Sequence, residues 1–275
     1  MSIQSRYSNI VCYFDPDSEI SARTFAEISR HYPMIGSVHW TNNKNNQKIF
    51  SPDKKQLIIT LGGDGMMLRA LHEFANDNVD VYGINLGSVG FLLNNCDLKN
   101  LLQKIDSAVV TKLSPLEMKA RTTDGKIFSA IAFNEVSLLR ETSQTAKMSI
   151  NVNGKVRLSE MSGDGIMVST PAGSTAYNAA AHGPIVPLNA NVLLLTPINP
   201  FRPRRLGSIL LPRNSIVSLT VLEASKRPVN AFADSSEIKN VEVVQVYERS
   251  DIKMSVLFDK DLSLDERILK EQFTT

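Results

Sequence analysis

The chain has 275 residues, of which 43% are hydrophobic and 21% are charged, and its formal net charge is +2. This length is sufficient for two domains with their own cores, and the composition is ordinary for a globular protein in water. A charge so close to zero gives no reason to expect nucleic acid or an anionic membrane as a partner.

The two cysteines, Cys12 and Cys96, are not spaced like metal ligands or a redox pair. Cys12 lies in an apolar run, and we predict that it is buried. No disulfide framework is indicated, which suits a reducing compartment. The sequence also shows no secretory signal and no apolar run approaching the ~20 residues of a membrane span. We therefore expect a cytoplasmic protein with no membrane partner.

The first elements alternate between strand and helix. Ile10–Phe14 is an apolar run that predicts a strand. Ile20, Phe25 and Ile28 are spaced to line one face of a helix that ends before Pro33. Asn42–Lys48 is polar and rich in asparagine, which predicts a loop.

The central stretch is Leu57–Ala70, with the sequence LIITLGGDGMMLRA. Leu57–Leu61 predicts a buried parallel strand, Gly62–Gly65 a tight turn, and the following apolar spacing a helix. Glycines at such a turn can adopt φ > 0, and they let phosphate oxygens approach the backbone N–H groups of the helix start. Asp64 would repel a bare phosphate, so we expect it to accept a proton from an attacking hydroxyl or to bind a divalent cation. The alternative is that Asp64 only caps the helix.

A second strand and glycine-rich turn follow. Val81–Asn85 predicts a strand, Leu86–Phe91 a turn, and Asp97–Ile105 a short helix. Strands separated by helices predict a doubly wound, Rossmann-like α/β domain over residues 1–106. Ligands bind such sheets at the carboxyl ends of the strands, where both glycine turns lie.

Helical periodicity largely disappears after Ser107, and residues 107–258 are predicted to form a β-rich, sandwich-like domain. Asp124-Gly125 and Asn153-Gly154 are each flanked by apolar runs and predict two hairpins. Further predicted strands are Val192–Leu195, Ser208–Leu211, Ile216–Val221 and Val241–Tyr247. The end of the chain, residues 259–275, includes a helical pattern at Leu262–Phe273 and is expected to pack back on the first domain.

Three further segments carry polar residues typical of a binding site. Asn134-Glu135 follows an apolar strand, which suits recognition of a ribose or a base edge, or is a strand end that turns into solvent. Asp164 lies in a second Gly-Asp-Gly, where it binds a ligand N–H or hydroxyl, or acts as a turn residue. Ser169–Asn178 leads into an alanine run, which suits a phosphate or sugar site with Tyr177 facing a base, or simple helix capping.

Taken in order, these four motifs resemble those of NAD kinases. They are Gly62-Gly63-Asp64-Gly65, Asn134-Glu135, Gly163-Asp164-Gly165 and the run from Thr170 to Tyr177. The resemblance extends from about Leu57 to the end of the chain. It implies an α/β domain followed by a β-rich domain, with NAD between them.

The resemblance also implies roles for individual residues. Asp64 matches the catalytic aspartate and general base, and Gly65 and Arg69 lie at the nucleotide-contacting turn and helix. Asn134 and Glu135 match the pair that contacts the diphosphate-linked ribose and the nicotinamide side. Asp164 matches an aspartate that in many members reaches a bound NAD from a neighbouring subunit. The expected NAD-binding residues at the second helix start are Thr175, Ala176, Tyr177, Asn178, Ala179 and Ala180.

The activity implied is transfer of a terminal phosphate, from ATP or polyphosphate, to the adenosine-ribose 2′-hydroxyl of NAD. The resemblance further implies a divalent metal, with Mg²⁺ expected, bound with the donor, and a homotetramer or a dimer. Two departures are Ser162, where many members have a basic residue, and Ser235 after Asp234, where many have glycine. Asp234 is thus a weaker site candidate.

Two rival functions remain open from the residues. One is another kinase with the same glycine turn that acts on a lipid or a sugar phosphate. The other is a dinucleotide-binding protein without catalytic activity. A hydride-transfer Rossmann enzyme is disfavoured, because Gly62–Gly65 is not the G-x-G-x-x-G fingerprint.

Overall fold

The computed structural model describes residues 6–39, 55–87 and 90–260. Its helices are α1 (Glu19–His31), α2 (Asp64–Glu73), α3 (Leu101–Ser107) and α4 (Tyr177–Ala180). Its strands are β1 (Ile10–Phe14), β2 (Gly36–His39), β3 (Gln56–Gly62), β4 (Val79–Asn85), β5 (Val109–Leu113), β6 (Leu116–Thr122), β7 (Ile127–Ala132), β8 (Glu135–Arg140), β9 (Ala146–Val152), β10 (Lys155–Gly163), β11 (Gly165–Ser169), β12 (Val192–Ile198), β13 (Ile209–Pro212), β14 (Val217–Val221), β15 (Val229–Ala233), β16 (Ser236–Ile238), β17 (Val241–Glu248) and β18 (Met254–Phe258).

The chain divides into two compact units, residues 1–113 with 252–275 and residues 114–251. The first unit contains a sheet with the strand order β2-β1-β3-β4-β18-β5. All neighbours in it are parallel except β18 and β5. The central strands β3 and β4 are buried over nearly their whole length, as a parallel sheet covered on both faces requires. The predicted α/β arrangement is therefore confirmed.

Helix α1 packs on this sheet through a face that includes the predicted Phe25 and Ile28 but not the predicted Ile20. The predicted Ile20 is 54% exposed, whereas Ser21, Thr24 and Ile28 are buried. Ser21 donates a hydrogen bond to the carbonyl of Leu61, and Thr24 to that of Ile20. The hydroxyl groups are thus satisfied by backbone carbonyls, so the small side chains can face the sheet at little cost.

Helix α3 begins later than the predicted Asp97. It starts at Leu101, with Asn100 at the N-cap. The Asn100 amide donates to both oxygens of the Asp97 carboxylate, at 3.4 and 3.2 Å. This local side-chain contact closes a turn before the helix, and it competes with helical geometry at these residues.

The second unit is a β-sandwich. Its two antiparallel sheets have the orders β10-β9-β14-β17-β6-β7 and β13-β12-β11-β8-β15-β16. One apolar cluster takes side chains from both sheets, including Met118 and Leu219 from the first and Val168 and Leu195 from the second. Both predicted hairpins form, with φ of 83° at Gly125 and 78° at Gly154. The prediction that this part of the chain has a β-rich fold is therefore confirmed.

The predicted loop at Asn42–Lys48 and helix at Leu262–Phe273 lie outside the described residues. Cys12 is fully buried, as predicted, and burial raises the pKa of its thiol to about 12. Within the described ranges, no helix has the length and apolar character needed to cross a bilayer.

Candidate active site

The glycine turn of the first unit joins β3 directly to α2. Gly63 is the N-cap residue, and Asp64 is the first residue of the helix. No side-chain hydrogen bond caps this helix. The interpretation of Asp64 as a mere helix cap is therefore wrong, and its carboxylate is directed elsewhere.

The Asp64 carboxylate binds the loop that follows β4. One oxygen accepts the backbone N–H of Phe91 at 2.9 Å, and the other accepts the N–H of Leu92 at 3.0 Å. Two such bonds to a half-buried carboxylate fix its orientation. Each oxygen keeps further acceptor capacity, because a carboxylate offers about four lone-pair positions. Asp64 is thus held in place while it can still accept a proton or bind a cation.

The glycines beside Asp64 leave open space. A Cβ atom added at Gly63 or Gly65 would meet no heavy atom of the described chain within 4 Å. Of the turn glycines only Gly62, with φ of 156°, has positive φ, so the expected left-handed backbone is limited to that residue. Arg69 lies on an exposed position further along α2. The start of this helix is therefore accessible to an anionic ligand.

In the second unit, Asp234 organises the segment that contains Asn134 and Glu135. It lies between β15 and β16 with φ of 48°. One carboxylate oxygen accepts the N–H of Phe133 at 2.7 Å, and the other accepts the N–H groups of Asn134 and Glu135 at 3.1 and 3.2 Å. Asp234 therefore has a clear structural function, which the sequence did not indicate.

Glu135 carries a buried acceptor. It begins β8 instead of ending the preceding strand, and its Oε2 atom is buried without a hydrogen-bond partner among the described residues. Burial, together with the charge of Asp234, raises the pKa of this carboxyl to about 7. An unpartnered buried oxygen is costly, so it points to a polar ligand group at this position.

The segment that follows β11 packs against the segment that contains Asn134 and Glu135. A Cβ at Gly173 would lie 2.3 Å from the carbonyl oxygen of Asn134, so only glycine fits there. Thr170 donates its hydroxyl to the carbonyl of Phe133 at 2.6 Å, and its backbone N–H to that of Asn134 at 2.9 Å. These contacts bring the Thr170–Tyr177 motif against the Asn134-Glu135 motif.

Asn178 connects the same segment to the sandwich and is fully buried. Its amide donates to the carbonyls of Ser174 and Pro184, and it accepts the Thr196 hydroxyl at 2.6 Å. These contacts occupy its polar atoms, so within this unit Asn178 acts as a support for the turn. Of the other predicted residues, Thr175 ends a 3₁₀ turn (Ala172–Thr175), Ala176 joins that turn to α4, and Ala179 and Ala180 lie in α4.

The charges of Asp164 and Glu135 both affect the pKa of the Tyr177 phenol. Burial raises the pKa of the Tyr177 phenol, and the negative charges of Asp164 and Glu135 raise it further. Asp164 connects β10 and β11, and it accepts hydrogen bonds from Asn199 at 2.9 Å and Arg140 at 2.6 Å. The bond from Asn199 and the contact with Arg140 lower the pKa of this carboxyl despite partial burial.

The structure thus brings the predicted residues into two groups, one in each unit. Asp64 and Gly65 begin α2, and Arg69 lies in the middle of the same helix. Asn134, Glu135, Asp164 and Tyr177 belong to one region of the second unit. Sequence reasoning missed the N–H groups of Phe91 and Leu92, since backbone donors leave no side-chain signal. In the described ranges, no group of three or more His, Cys, Asp or Glu side chains could hold a metal ion.

Comparison with known proteins gives matches to both halves. Residues 5–111 match the protein-family model of the ATP-NAD kinase N-terminal domain, and residues 133–254 match that of the ATP-NAD kinase C-terminal domain. A curated NAD kinase from Brucella suis is 52% identical over 217 residues, which are 79% of this chain and 84% of that protein.

Two solved structures have a similar fold. Yeast NADH kinase complexed with NADH gives a TM-score of 0.79 at 21% identity, covering 97% of this chain and 89% of that one. An NAD kinase from Archaeoglobus fulgidus in complex with ATP gives 0.73 at 19% identity, covering 94% and 98%. At these identities the structures support the fold alone.

Proposed function

This chain belongs to the NAD kinase family and is a phosphotransferase that converts NAD to NADP, and we propose that it phosphorylates the adenosine-ribose 2′-hydroxyl with ATP or polyphosphate as donor. One observation in this structure carries the proposal: the Asp64 carboxylate is held by the N–H groups of Phe91 and Leu92 beside open glycines. Phosphoryl transfer needs mainly such positioning of charge and groups.

In this proposal Asp64 accepts the proton of the attacking hydroxyl. A ribose hydroxyl is a poor nucleophile until its proton leaves, and a positioned base typically contributes roughly 10²–10⁴-fold. Gly63 and Gly65 admit the phosphate oxygens of the donor to the start of α2, and Arg69 supplies positive charge to them.

The second unit binds NAD. The Oε2 atom of Glu135, which is buried with no hydrogen-bond partner among the described residues, accepts a hydrogen bond from a ribose hydroxyl, and Asn134 contacts the same ribose. Tyr177 is 36% exposed and offers an aromatic face to a base, with Thr175, Ala176 and Ala180 around it. Ala179 lies at the same NAD-binding turn, and Asn178 positions it.

We further propose a divalent cation, Mg²⁺, bound with the donor. The chemistry of the donor set fits such a site, because hard cations prefer oxygen and Asp64 retains free lone pairs. When bound, the cation neutralises charge on the phosphate oxygens.

The assembly proposed is a homotetramer, with a dimer as the alternative, located in the cytoplasm. The half-exposed carboxylate of Asp164, fixed by Arg140 and Asn199, suits a contact with NAD bound to a neighbouring subunit. Light scattering coupled to gel filtration measures the assembly.

The function is tested by incubating the purified protein with NAD, Mg²⁺ and either ATP or polyphosphate, and measuring NADP. Formation of NADP that depends on donor and cation supports the proposal. NAD binding without NADP under every donor would indicate a non-catalytic binding protein instead. Phosphorylation of a lipid or a sugar phosphate with no NADP would indicate the other kinase class.

A further inference from the structure

The loop that holds Asp64 is itself anchored by one buried side chain, Asn94. Asn94 is completely buried. Its amide N–H donates to the carbonyl of Leu257 at 2.9 Å, and its oxygen accepts the N–H of Asp259 at 2.9 Å. Leu257 lies in β18 and Asp259 directly follows it, so both partners are more than 160 residues away from Asn94 in the sequence. The side chain thus joins the loop after β4 to the neighbouring strand.

The backbone of Asn94 is also bonded to β4. Its N–H donates to the carbonyl of Gly83 at 2.7 Å, and its carbonyl accepts the N–H of Asn85 at 2.8 Å. A Cβ at Gly83 would lie 2.3 Å from the Leu93 side chain, so Leu93 packs directly on the strand. Hydrogen bonds therefore fix the loop to β4 at Asn94. This residue lies two positions after Leu92, whose N–H group binds the Asp64 carboxylate.

Asp259, one of the two residues bonded by the Asn94 side chain, is itself fixed by further contacts. Asp259 is 5% exposed, and its carboxylate accepts the Tyr82 hydroxyl at 2.6 Å and pairs with Lys104 at 3.3 Å. Tyr82 belongs to β4 and Lys104 to α3. The Leu257 carbonyl and the Asp259 N–H group, which bind the Asn94 side chain, are thus fixed by the sheet and by α3.

We infer that Asn94 is a positioning residue for Asp64, acting through the loop 91–94. Asn94 fixes the position of the loop beside the end of β4, and the loop fixes the Phe91 and Leu92 N–H groups that orient the Asp64 carboxylate. Reaction rates depend strongly on such geometry, since a displacement of about 1 Å costs on the order of 10²-fold. This inference rests on the proposed function of Asp64 as the base.

The test replaces Asn94 by alanine and compares it with Asn95→Ala, an exposed neighbour whose side chain makes no hydrogen bond to the described residues. We expect Asn94→Ala to lower kcat at least tenfold, with KM for NAD and for ATP unchanged within about twofold. Asn95→Ala should keep all three values within twofold. Wild-type kcat in Asn94→Ala, or a rise in KM equal to the loss of kcat, would overturn the inference.

Amide hydrogen exchange supplies a readout that does not need activity. In Asn94→Ala, the Phe91 and Leu92 amides should exchange at least tenfold faster, while the amides of β3 keep their wild-type rates. Equal acceleration in β3 would indicate general loosening and contradict a positioning role. If the wild type makes no NADP, the proposed function fails, and the exchange result still decides whether Asn94 positions the loop.

A milder variant covers the case in which Asn94→Ala does not fold. Tyr82→Phe removes the hydroxyl that holds Asp259 and keeps the ring in place. We expect a three- to fivefold loss of kcat, unchanged KM values, and faster exchange at Phe91 and Leu92. Wild-type behaviour of Tyr82→Phe in all three measurements would overturn the inference.

Discussion

The carboxylate of Asp234 accepts a hydrogen bond from the backbone N–H of Glu135 at 3.2 Å, and its charge helps to raise the pKa of the Glu135 carboxyl to about 7. Burial is the larger cause of this shift. One residue therefore supports the backbone of the segment and also makes the neighbouring carboxyl harder to ionise.

The raised pKa of Glu135 predicts a pH dependence of stability. Between pH 4.5 and about 7 the folded protein binds more protons at Glu135 than the unfolded chain does, so this group makes the free energy of unfolding fall as pH rises. Above pH 7 the loss reaches at most about 3 kcal/mol, at about 1.4 kcal/mol per pKa unit. Glu135→Gln should remove this dependence and be the more stable protein at pH 8.

Urea unfolding at pH 5 and pH 8, followed by circular dichroism, measures this effect. The exposed Glu141→Gln serves as the matched control and should keep the wild-type dependence. Parallel stability changes in Glu135→Gln and wild type would contradict the prediction.

Asp234→Ala should destabilise the second unit. It leaves the N–H groups of Phe133, Asn134 and Glu135 without their acceptor, and a buried donor left unpaired costs about 1–3 kcal/mol. Because water reaches the half-buried members, we expect a total loss of about 2–4 kcal/mol in the free energy of unfolding, together with weaker NAD binding. Asp234→Asn retains one acceptor oxygen and tolerates positive φ, so its loss should be smaller; an equal loss in both would argue against this explanation.

Asp64→Asn should lower kcat by roughly 10²–10⁴-fold, because it removes the base. The new amide group also places a donor against the N–H of Phe91 or Leu92, so one orienting bond is lost. NAD affinity, measured by calorimetry, should stay within about threefold of wild type. Asp77→Asn, on an exposed position just after α2, is the control; unchanged turnover in Asp64→Asn would remove Asp64 from the mechanism.

Gly65→Ala should separate stability from donor binding. The added methyl group meets no described atom, and alanine in a helix is better than glycine by up to about 1 kcal/mol, so the melting temperature should not fall. The same methyl group occupies the space proposed for phosphate oxygens, so KM for ATP should rise at least tenfold while NAD affinity is retained. A wild-type KM for ATP would show that the donor does not approach this backbone.

Gly183→Ala should disturb the turn that carries Tyr177. A Cβ at Gly183 would lie 2.1 Å from the Asn178 amide oxygen, which is buried and already bonded to Thr196. Overpacking of this kind typically costs about 1–3 kcal/mol, and displacement of Asn178 should also weaken NAD binding. Gly207→Ala, where a Cβ meets no described atom within 4 Å, is the matched control and should match wild type in melting temperature and in affinity.

Much of the fold follows from local sequence patterns. β1, β3, β4 and both hairpins are set by apolar runs and by turn residues that lie within a few positions of each other. Strands such as β2, β5 and β18 were not predicted, because they are short or gain their stability from partners distant in sequence. β18 pairs in parallel with β4 between Ser255 and Asp80, and no local pattern records such a pairing.

The sequence by itself determined the family and the order of the four motifs, because glycine turns, the acidic residue after β3 and the Asn-Glu pair are properties of consecutive residues. Only the tertiary structure decided what holds these residues in place. The N–H groups of Phe91 and Leu92 bind the Asp64 carboxylate, and the Asp234 carboxylate binds the N–H groups of Asn134 and Glu135. The physical reason is that backbone N–H groups are the same in every residue type except proline, so which of them meets a carboxylate depends on how distant segments pack.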